Sequence, residues 1–120
     1  MSKRILIAPA GWEDRFRDGT SIDLDEFRPD QILIPYSVKY KDRTALFREQ
    51  VRAKAEGLDV DYLEREMEYQ DSVSLYKDML NLYHTHIETS AEVRLNASTC
   101  PRNLIWYTLH FLSEKTIKTE

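Results

Sequence analysis

The segment NASTCPR, residues 96–102, carries the side chains best suited to hold a negatively charged ligand. The amide of Asn96 and the hydroxyls of Ser98 and Thr99 can donate hydrogen bonds to an oxyanion. The guanidinium of Arg102 adds a forked, permanently charged donor. A helix is predicted to begin here, and its free N–H groups and dipole favour an anion at the same place. The segment is also a good helix start, so an anion cradle and an ordinary cap are both open interpretations.

A second polar loop, PAGWEDR, follows the first apolar run of the chain. Gly11 permits a tight exit from a strand, and Trp12 offers an aromatic plane on which a base can stack. Glu13 and Asp14 are adjacent, so they diverge on a helix and are not expected to act as a paired acid and base. Either carboxylate can instead bond a ribose hydroxyl or orient a water molecule, and Arg15 adds a cation. Alternatively, Trp12 belongs to the core and the carboxylates favour a helix start.

Other nucleotide-binding and metal-binding motifs are disfavoured. Glycine is absent from STCP and occurs once in PAGW, so the chain has no Walker loop or dinucleotide-binding loop, and no cofactor is expected. The single cysteine, Cys100, excludes an intrachain disulfide and a cysteine-based zinc site. His84 and His86 are two apart on a predicted helix, where their side chains diverge, so no metal site is expected.

The composition is that of one globular domain covering residues 1–120. Hydrophobic residues make up 42% of the chain and charged residues 32%, which argues against disorder. The net charge of −4 gives no electrostatic footprint for duplex nucleic acid, whose binding depends on cation–phosphate contacts. No apolar stretch approaches membrane-spanning length, and no signal peptide is recognisable. We therefore expect a cytoplasmic protein with no membrane partner.

Apolar runs and helical patterns alternate along the chain. Strands are predicted at residues 4–10, 31–36, 59–69 and 91–97. In the third strand Glu64, Glu66 and Glu68 fall on one side and Leu63, Met67 and Tyr69 on the other, which indicates a solvated face near a sheet edge.

Helices are predicted between the strands and after the last one. The charged segment after the first strand is broken by Gly19, which predicts two short helical pieces. A helix over residues 42–57 is predicted to bury Leu46, Phe47 and Val51. A long helix capped by Asp71 or Ser72 follows, and an apolar helix covers residues 101–115. The apolar stripe of the long helix consists of Val73, Tyr76, Leu80, Tyr83 and Ile87.

This alternation predicts an α/β fold, a three-layer Rossmann-like domain with about four mainly parallel strands in the order 3-2-1-4 and helices on both faces. In such sheets ligands bind beyond the carboxyl ends of the strands, where the winding direction reverses. The reversal lies between the first and fourth strands, so PAGWEDR and NASTCPR are expected to meet at one crevice. The exposed edge of the fourth strand and the apolar final helix would need a partner surface.

The segments ILIAPAGWEDR and VRLNASTCPRNLIWYTLHFL together resemble two parts of the CRISPR-associated Rossmann fold (CARF) family, whose members sense nucleotide second messengers. The first is similar to the opening strand and ligand loop of archaeal regulators in that superfamily, which have a glycine–acid–arginine pattern. The second is similar to the fourth strand, ligand loop and following helix, with Asn96, Ser98, Thr99 and Arg102 at the matching positions. Where the family commonly has glycines and a lysine after the threonine, this sequence has CPR.

The resemblance implies a homodimer that binds a nucleotide-derived signal, such as a cyclic oligonucleotide, across its two-fold axis in antiviral defence or regulation. Some members also cleave that ligand by setting a ribose 2′-hydroxyl against the adjacent phosphate, without a metal ion. Thr99 and Arg102 would then stabilise the developing charge. Family members usually add an effector domain, and none is recognisable here, so a separate effector chain is an expected partner.

Three functions remain open on the sequence alone. The first is a small sensor domain that binds a nucleotide or another phosphorylated small molecule at the two loops. The second is an enzyme that cleaves such a ligand, with Glu13, Asp14, Thr99 and Arg102 as candidate catalytic residues. The third is a ligand-free interaction module that uses the sheet edge and the final helix.

Overall fold

The computed structural model describes residues 3–88, 90–96, 110 and 118–119 of the chain. Strands and helices alternate over this part of the chain, as the sequence predicts. In chain order they are β1 (Arg4–Ile7), α1 (Asp14–Phe27), β2 (Gln31–Ser37), a 3₁₀ turn (Val38–Tyr40), α2 (Ala45–Gly57), β3 (Asp61–Met67), α3 (Ser72–His86), β4 (Glu92–Leu95) and β5 (Lys118–Thr119).

All five strands form one parallel sheet in the order β3-β2-β1-β4-β5. The first four strands confirm the predicted 3-2-1-4 order and its reversal between β1 and β4. The central strand β1 pairs on both sides, since Ile5 lies opposite Gln31 of β2 and opposite Val93 of β4. β3 lies at one edge of the sheet, as its alternating sequence predicts.

The edge of β4, which the sequence predicts to be exposed, is partly covered. The short strand β5 pairs with β4 in parallel, with Glu92 opposite Lys118 and Val93 opposite Thr119. A strand of two residues is too short to show an alternating apolar pattern, so periodicity does not predict it. Two residues of the β4 edge are therefore paired within the same chain.

Helices cover both faces of the sheet, so the three-layer prediction is confirmed. Ile5 and Ile7 of β1 pack on the face covered by α3, while Leu6 and Ala8 pack on the face covered by α1 and α2. Both sets of side chains are fully buried, as expected for a central parallel strand. The helical residues in the two cores are Leu75, Met79, Leu82 and Tyr83 on one face, and Leu24, Phe27, Phe47, Val51 and Ala55 on the other.

The first helix runs without a break through Gly19, so the prediction of two short pieces is wrong. A glycine inside a helix costs about 1 kcal/mol relative to alanine. Burial of Thr20, Leu24 and Phe27 against the sheet offsets that cost. The helix ends at Arg28, which adopts the left-handed conformation with φ 51°.

The predicted buried faces of α2 and α3 are confirmed in part, since Phe47 and Val51 on α2 and Tyr83 on α3 are buried. Leu46 on α2 is 56% exposed and Val73 on α3 is 64% exposed. The second helix begins at Ala45, because the 3₁₀ turn and a further turn at residues 41–44 precede it. The other residues of the buried faces are Arg48 and Ala55 on α2 and Leu75, Met79 and Leu82 on α3.

The predicted cap of α3 is confirmed at Asp71. Its side chain accepts hydrogen bonds from the N–H groups of Val73 and Ser74, at 3.1 and 3.2 Å. The bonds from Ser74, and then that from Val73, lower the pKa of the Asp71 carboxyl. The carboxylate also lies at the positive end of the helix dipole.

The predicted final helix, residues 101–115, lies outside the described residues except for His110. That residue is helical and exposed. Among the described residues, no helix is both long enough and apolar enough to cross a membrane.

Replacing Gly19 with alanine should raise the free energy of unfolding by about 0.5–1 kcal/mol, because alanine is the better helix former. The added Cβ would lie 3.9 Å from the side-chain nitrogen of Asn96, which is an ordinary van der Waals contact. Urea unfolding followed by circular dichroism measures the change. A loss of stability would show that the packing of α1 against the end of β4 does not tolerate a methyl group.

Candidate functional site

The carboxyl ends of β1 and β4 lie side by side where the strand order reverses. The N–H of Asn96, directly after β4, donates to the carbonyl of Ile7 at 2.8 Å. The loops after both strands therefore start from one edge of the sheet. Ser98, Thr99 and Arg102 lie outside the described residues, so their ligand-binding roles stay predictions.

Asn96 is buried, and its side chain contacts α1. Its Nδ2 atom donates to the hydroxyl of Thr20 at 3.4 Å. Two residues earlier, the guanidinium of Arg94 lies 3.6 Å from the carboxylate of Asp23, also on α1. Burial raises the pKa of the Asp23 carboxyl, and the charge of Arg94 opposes this effect. These contacts hold α1 against the end of β4. The amide nitrogen of Asn96 is thereby hydrogen-bonded to α1.

After β1 the chain follows β2 before it turns into α1. The N–H groups of Ala8 and Ala10 each donate to a carbonyl on β2 at 3.0 Å. Gly11 comes next and is buried. Trp12 therefore emerges beside the connection between β2 and α2.

Trp12 lies on the surface with 49% of its area exposed, so the alternative that placed it in the core is wrong. Its ring contacts that of Tyr40, with centroids 4.8 Å apart and planes inclined by 45°. The guanidinium carbon of Arg43 lies 5.7 Å from the Trp12 ring centre and 5.9 Å from that of Tyr40. The ammonium of Lys39 lies 5.5 Å from the Tyr40 ring centre. We call these four residues, Trp12, Lys39, Tyr40 and Arg43, the aromatic–cation surface.

Sequence reasoning missed three members of this surface, because they follow β2 and not the strand pair at the reversal. The signal is the run KYKDR, in which cations surround a tyrosine directly after a buried strand. Such a run indicates an exposed connection that can contact an anion. Only the path of the chain after β1 brings Trp12 to it.

Glu13 and Arg15 form an exposed ion pair, with Oε2 and Nε 2.8 Å apart. Glu13 directly precedes α1 and its side chain accepts no capping hydrogen bond. Asp14 is the first residue of the helix. An exposed pair of this kind adds little stability. The proposed roles of these residues in orienting a ribose or a water molecule stay predictions.

A buried arginine that the sequence analysis missed holds the connection between β2 and α2. The Arg48 side chain is only 10% exposed. It donates from Nη2 to the carbonyl of Lys41 at 2.8 Å and from Nε to the hydroxyl of Thr44 at 3.3 Å. Its guanidinium carbon also lies 4.0 Å from the centre of the Tyr36 ring. Arg48 thereby fixes the backbone under the aromatic–cation surface.

Glu64 on β3 balances the charge of this buried arginine. Its Oε1 accepts from Arg48 Nη1 at 3.1 Å, and its Oε2 accepts from the hydroxyl of Tyr62 at 2.8 Å. Arg52 lies farther from the same carboxylate, at 3.9 Å. The prediction of a solvated glutamate face is therefore wrong for Glu64. Burial, followed by the hydrogen bond to Glu64, raises the pKa of Tyr62, so its hydroxyl stays a donor.

The spacing of α2 does contain a signal for Arg48. Thr44, Arg48, Val51 and Ala55 follow one another at steps of four, three and four residues, which is the stripe of a helix that faces a core. A charged residue on such a stripe is almost always paired when it is buried. The alternating glutamates of the following strand are the natural partners.

Cavities bounded by described residues do not form a closed ligand site at the carboxyl edge. The depression beside Trp12, Glu13 and Arg43 measures about 20 Å³, which holds about one water molecule. A cavity of about 280 Å³ lies at the opposite edge of the sheet, where Asp25, Arg28 and Asp59 are among its lining residues. A ligand that contacts the described part of the carboxyl edge would therefore lie on an open surface.

No protein-family model matches this chain, and no curated protein matches it significantly. Within the described ranges, no group of three or more histidine, cysteine, aspartate or glutamate side chains could hold a metal ion. The function must therefore be inferred from the carboxyl edge of the sheet itself.

Replacing Arg48 with methionine should lower the free energy of unfolding by about 3 kcal/mol, because it leaves the half-buried carboxylate of Glu64 without its closest cation. Replacing Arg52 with methionine is the matched control. That side chain is half-exposed, so its loss should cost less than about 1 kcal/mol. Chemical unfolding of both variants measures the difference. Equal losses in the two variants would contradict a structural role specific to Arg48.

Proposed function

We propose that this chain is a Rossmann-like sensor domain that binds a nucleotide-derived or other phosphorylated ligand at the carboxyl edge of its sheet, between the loops after β1 and β4. The observation that supports it best is the exposed ring of Trp12, whose loop leaves β1 next to the reversal of the strand order. The ring itself lies on the β2 side of that loop, beside Arg43. Open parallel sheets bind ligands at the reversal. An exposed tryptophan beside a cation suits a ligand that combines a base with a phosphate.

The other half of the proposed site is the segment NASTCPR. It begins at the edge fixed by the hydrogen bond from Asn96 to Ile7. In the proposal Ser98, Thr99 and Arg102 bind a phosphate group, together with the N–H groups that open the predicted final helix. Trp12 would hold the base of the same ligand, and the buried Gly11 would set the path of the backbone that leads to it.

The resemblance to the CARF family extends this proposal. It suggests that the ligand is a second messenger such as a cyclic oligonucleotide, and that the domain acts in the cytoplasm in prokaryotic defence or regulation. A homodimer, or a complex with a separate effector chain, would pass the binding event on. Light scattering tests this part, because a strict monomer with and without ligand would count against the dimer.

The proposal predicts that nucleotides or cyclic oligonucleotides raise the melting temperature of the protein. Trp12→Ala should raise the Kd of such a ligand by about five- to a hundredfold, since stacking on one aromatic ring contributes about 1–3 kcal/mol per base. Arg102→Ala should weaken binding by removing the phosphate contact. Val73→Ala, an exposed change on α3, should have no effect.

Thermal-shift titration of all four proteins measures these effects. The proposal would be overturned if no nucleotide or cyclic oligonucleotide shifted the melting temperature of the unaltered protein. Chromatography of the same mixtures reveals whether the ligand is cleaved. Cleavage would indicate that the protein is an enzyme. Loss of that cleavage in Thr99→Ala would identify the proposed site as its location.

A further inference from the structure

The aromatic–cation surface extends beyond the crevice between β1 and β4. Only Trp12 comes from the loop after β1, while the other three members come from the connection between β2 and α2. Since β2 lies on the side of β1 away from β4, this connection lies outside the crevice. The surface therefore offers a second aromatic ring and two cations to a ligand that reaches past Trp12.

Two cations of this surface are available to a negatively charged ligand. Within the described ranges, Lys39 and Arg43 contact aromatic rings and form no ion pair with a carboxylate. Their neighbour Lys41 differs, because it lies 3.6 Å from the carboxylate of Glu66. Lys39 and Arg43 are both exposed. The four residues of the surface thus carry two positive charges and no negative one, although Glu13 and Asp42 lie nearby.

The connection that carries these residues is held in place before any ligand arrives. The hydroxyl of Thr44 lies 3.2 Å from the carbonyl oxygens of both Tyr40 and Lys41, which share its single proton. The buried guanidinium of Arg48 donates to the same Lys41 carbonyl and to the Thr44 hydroxyl. A backbone held this way loses little conformational freedom when a base stacks on Tyr40, which favours binding.

The shape of the surface favours a strand over a compact ligand. The depression beside Trp12 has room for about one water molecule, so this part of the edge does not enclose a whole nucleotide. Open aromatic platforms flanked by cations are the usual means of binding single-stranded nucleic acid, because every base has a face that can stack. A duplex hides those faces within its own stack.

We infer that the ligand of the proposed site is a single-stranded oligonucleotide. One nucleotide lies at the crevice between β1 and β4, with its base on Trp12. The next nucleotide lies on the part of the aromatic–cation surface that follows β2. This inference rests on the proposed function, since it assigns the class of ligand to the same site. Tyr40 stacks on the second base, and Arg43 and Lys39 contact the phosphates beside it. The chain therefore binds a strand more tightly than the mononucleotide.

Fluorescence anisotropy with labelled oligothymidylates of increasing length tests the inference, with thymidine monophosphate as competitor. Affinity should rise when a second nucleotide is added. Tyr40→Ala should raise the Kd of the oligonucleotide at least about fivefold more than it raises that of the mononucleotide, whose base lies on the neighbouring ring of Trp12. Arg43→Ala should reduce the slope of log Kd against log salt by about 0.7, the value for one phosphate contact on a single strand.

Two variants control for general effects of charge and packing. Arg52→Ala removes another half-exposed arginine over a tyrosine ring, 5.5 Å from that of Tyr62, and should leave oligonucleotide binding unchanged. Lys77→Ala removes one exposed charge on α3, on the opposite face of the sheet, and should do the same. Circular dichroism verifies that every variant is folded. Lys39→Ala, an exposed change, replaces Tyr40→Ala if the latter fails to fold, and should weaken oligonucleotide binding alone.

The outcomes separate the two proposals. If a mononucleotide binds but added nucleotides bring no gain, or if Tyr40→Ala and Arg43→Ala behave like the controls, the inference is overturned and the proposed function stands. An oligonucleotide with an abasic second position that binds as tightly as the intact strand also overturns it. If neither the mononucleotide nor the oligonucleotide binds, and no other nucleotide or cyclic oligonucleotide shifts the melting temperature, the proposed function itself fails.

Discussion

Parallel pairing of β1 with both β2 and β4 is the constraint on which the rest of the molecule depends. Because β1 has a strand on each side and helices on both faces, Ile5, Leu6 and Ile7 are completely buried. The same pairing places the carboxyl ends of β1 and β4 at one edge of the sheet. There the N–H of Asn96 donates a hydrogen bond to the carbonyl of Ile7. The crevice proposed as the ligand site is therefore a consequence of how the core is assembled.

A buried charge links that core to the surface beside the crevice. Arg48 lies under the connection between β2 and α2 and is balanced by Glu64 on β3. A buried ion pair of this kind is costly to break and gives little net stability relative to apolar packing, so its value lies in fixing one geometry. Here it fixes the backbone of Lys41 and the side chain of Thr44, and with them the aromatic–cation surface. The arrangement couples sheet packing to the placement of exposed binding groups.

The strand order and the three layers follow from the alternation of apolar runs and helical patterns, because few topologies satisfy it. The position of Trp12 does not follow, since it depends on two backbone hydrogen bonds that carry the chain along β2 after β1 ends. The buried faces of α2 and α3 are predicted only in part. Phe47, Val51 and Tyr83 are buried as predicted, whereas the packing of both helices on the sheet leaves Leu46 and Val73 exposed. In the sequence Glu64 looks like the solvated glutamates beside it. Its distinct role depends on the contact with Arg48, which only the folded structure shows.

The central claim is that a nucleotide-derived ligand binds at the carboxyl edge and contacts Trp12. The chain contains two tryptophans, so a Trp106→Phe variant makes Trp12 the sole tryptophan reporter. Its fluorescence during titration with nucleotides and short oligonucleotides tests the claim most directly. Stacking of a base on the half-exposed ring predicts quenching that saturates with ligand concentration. A spectrum that stays unchanged at millimolar concentrations of every ligand would contradict the claim.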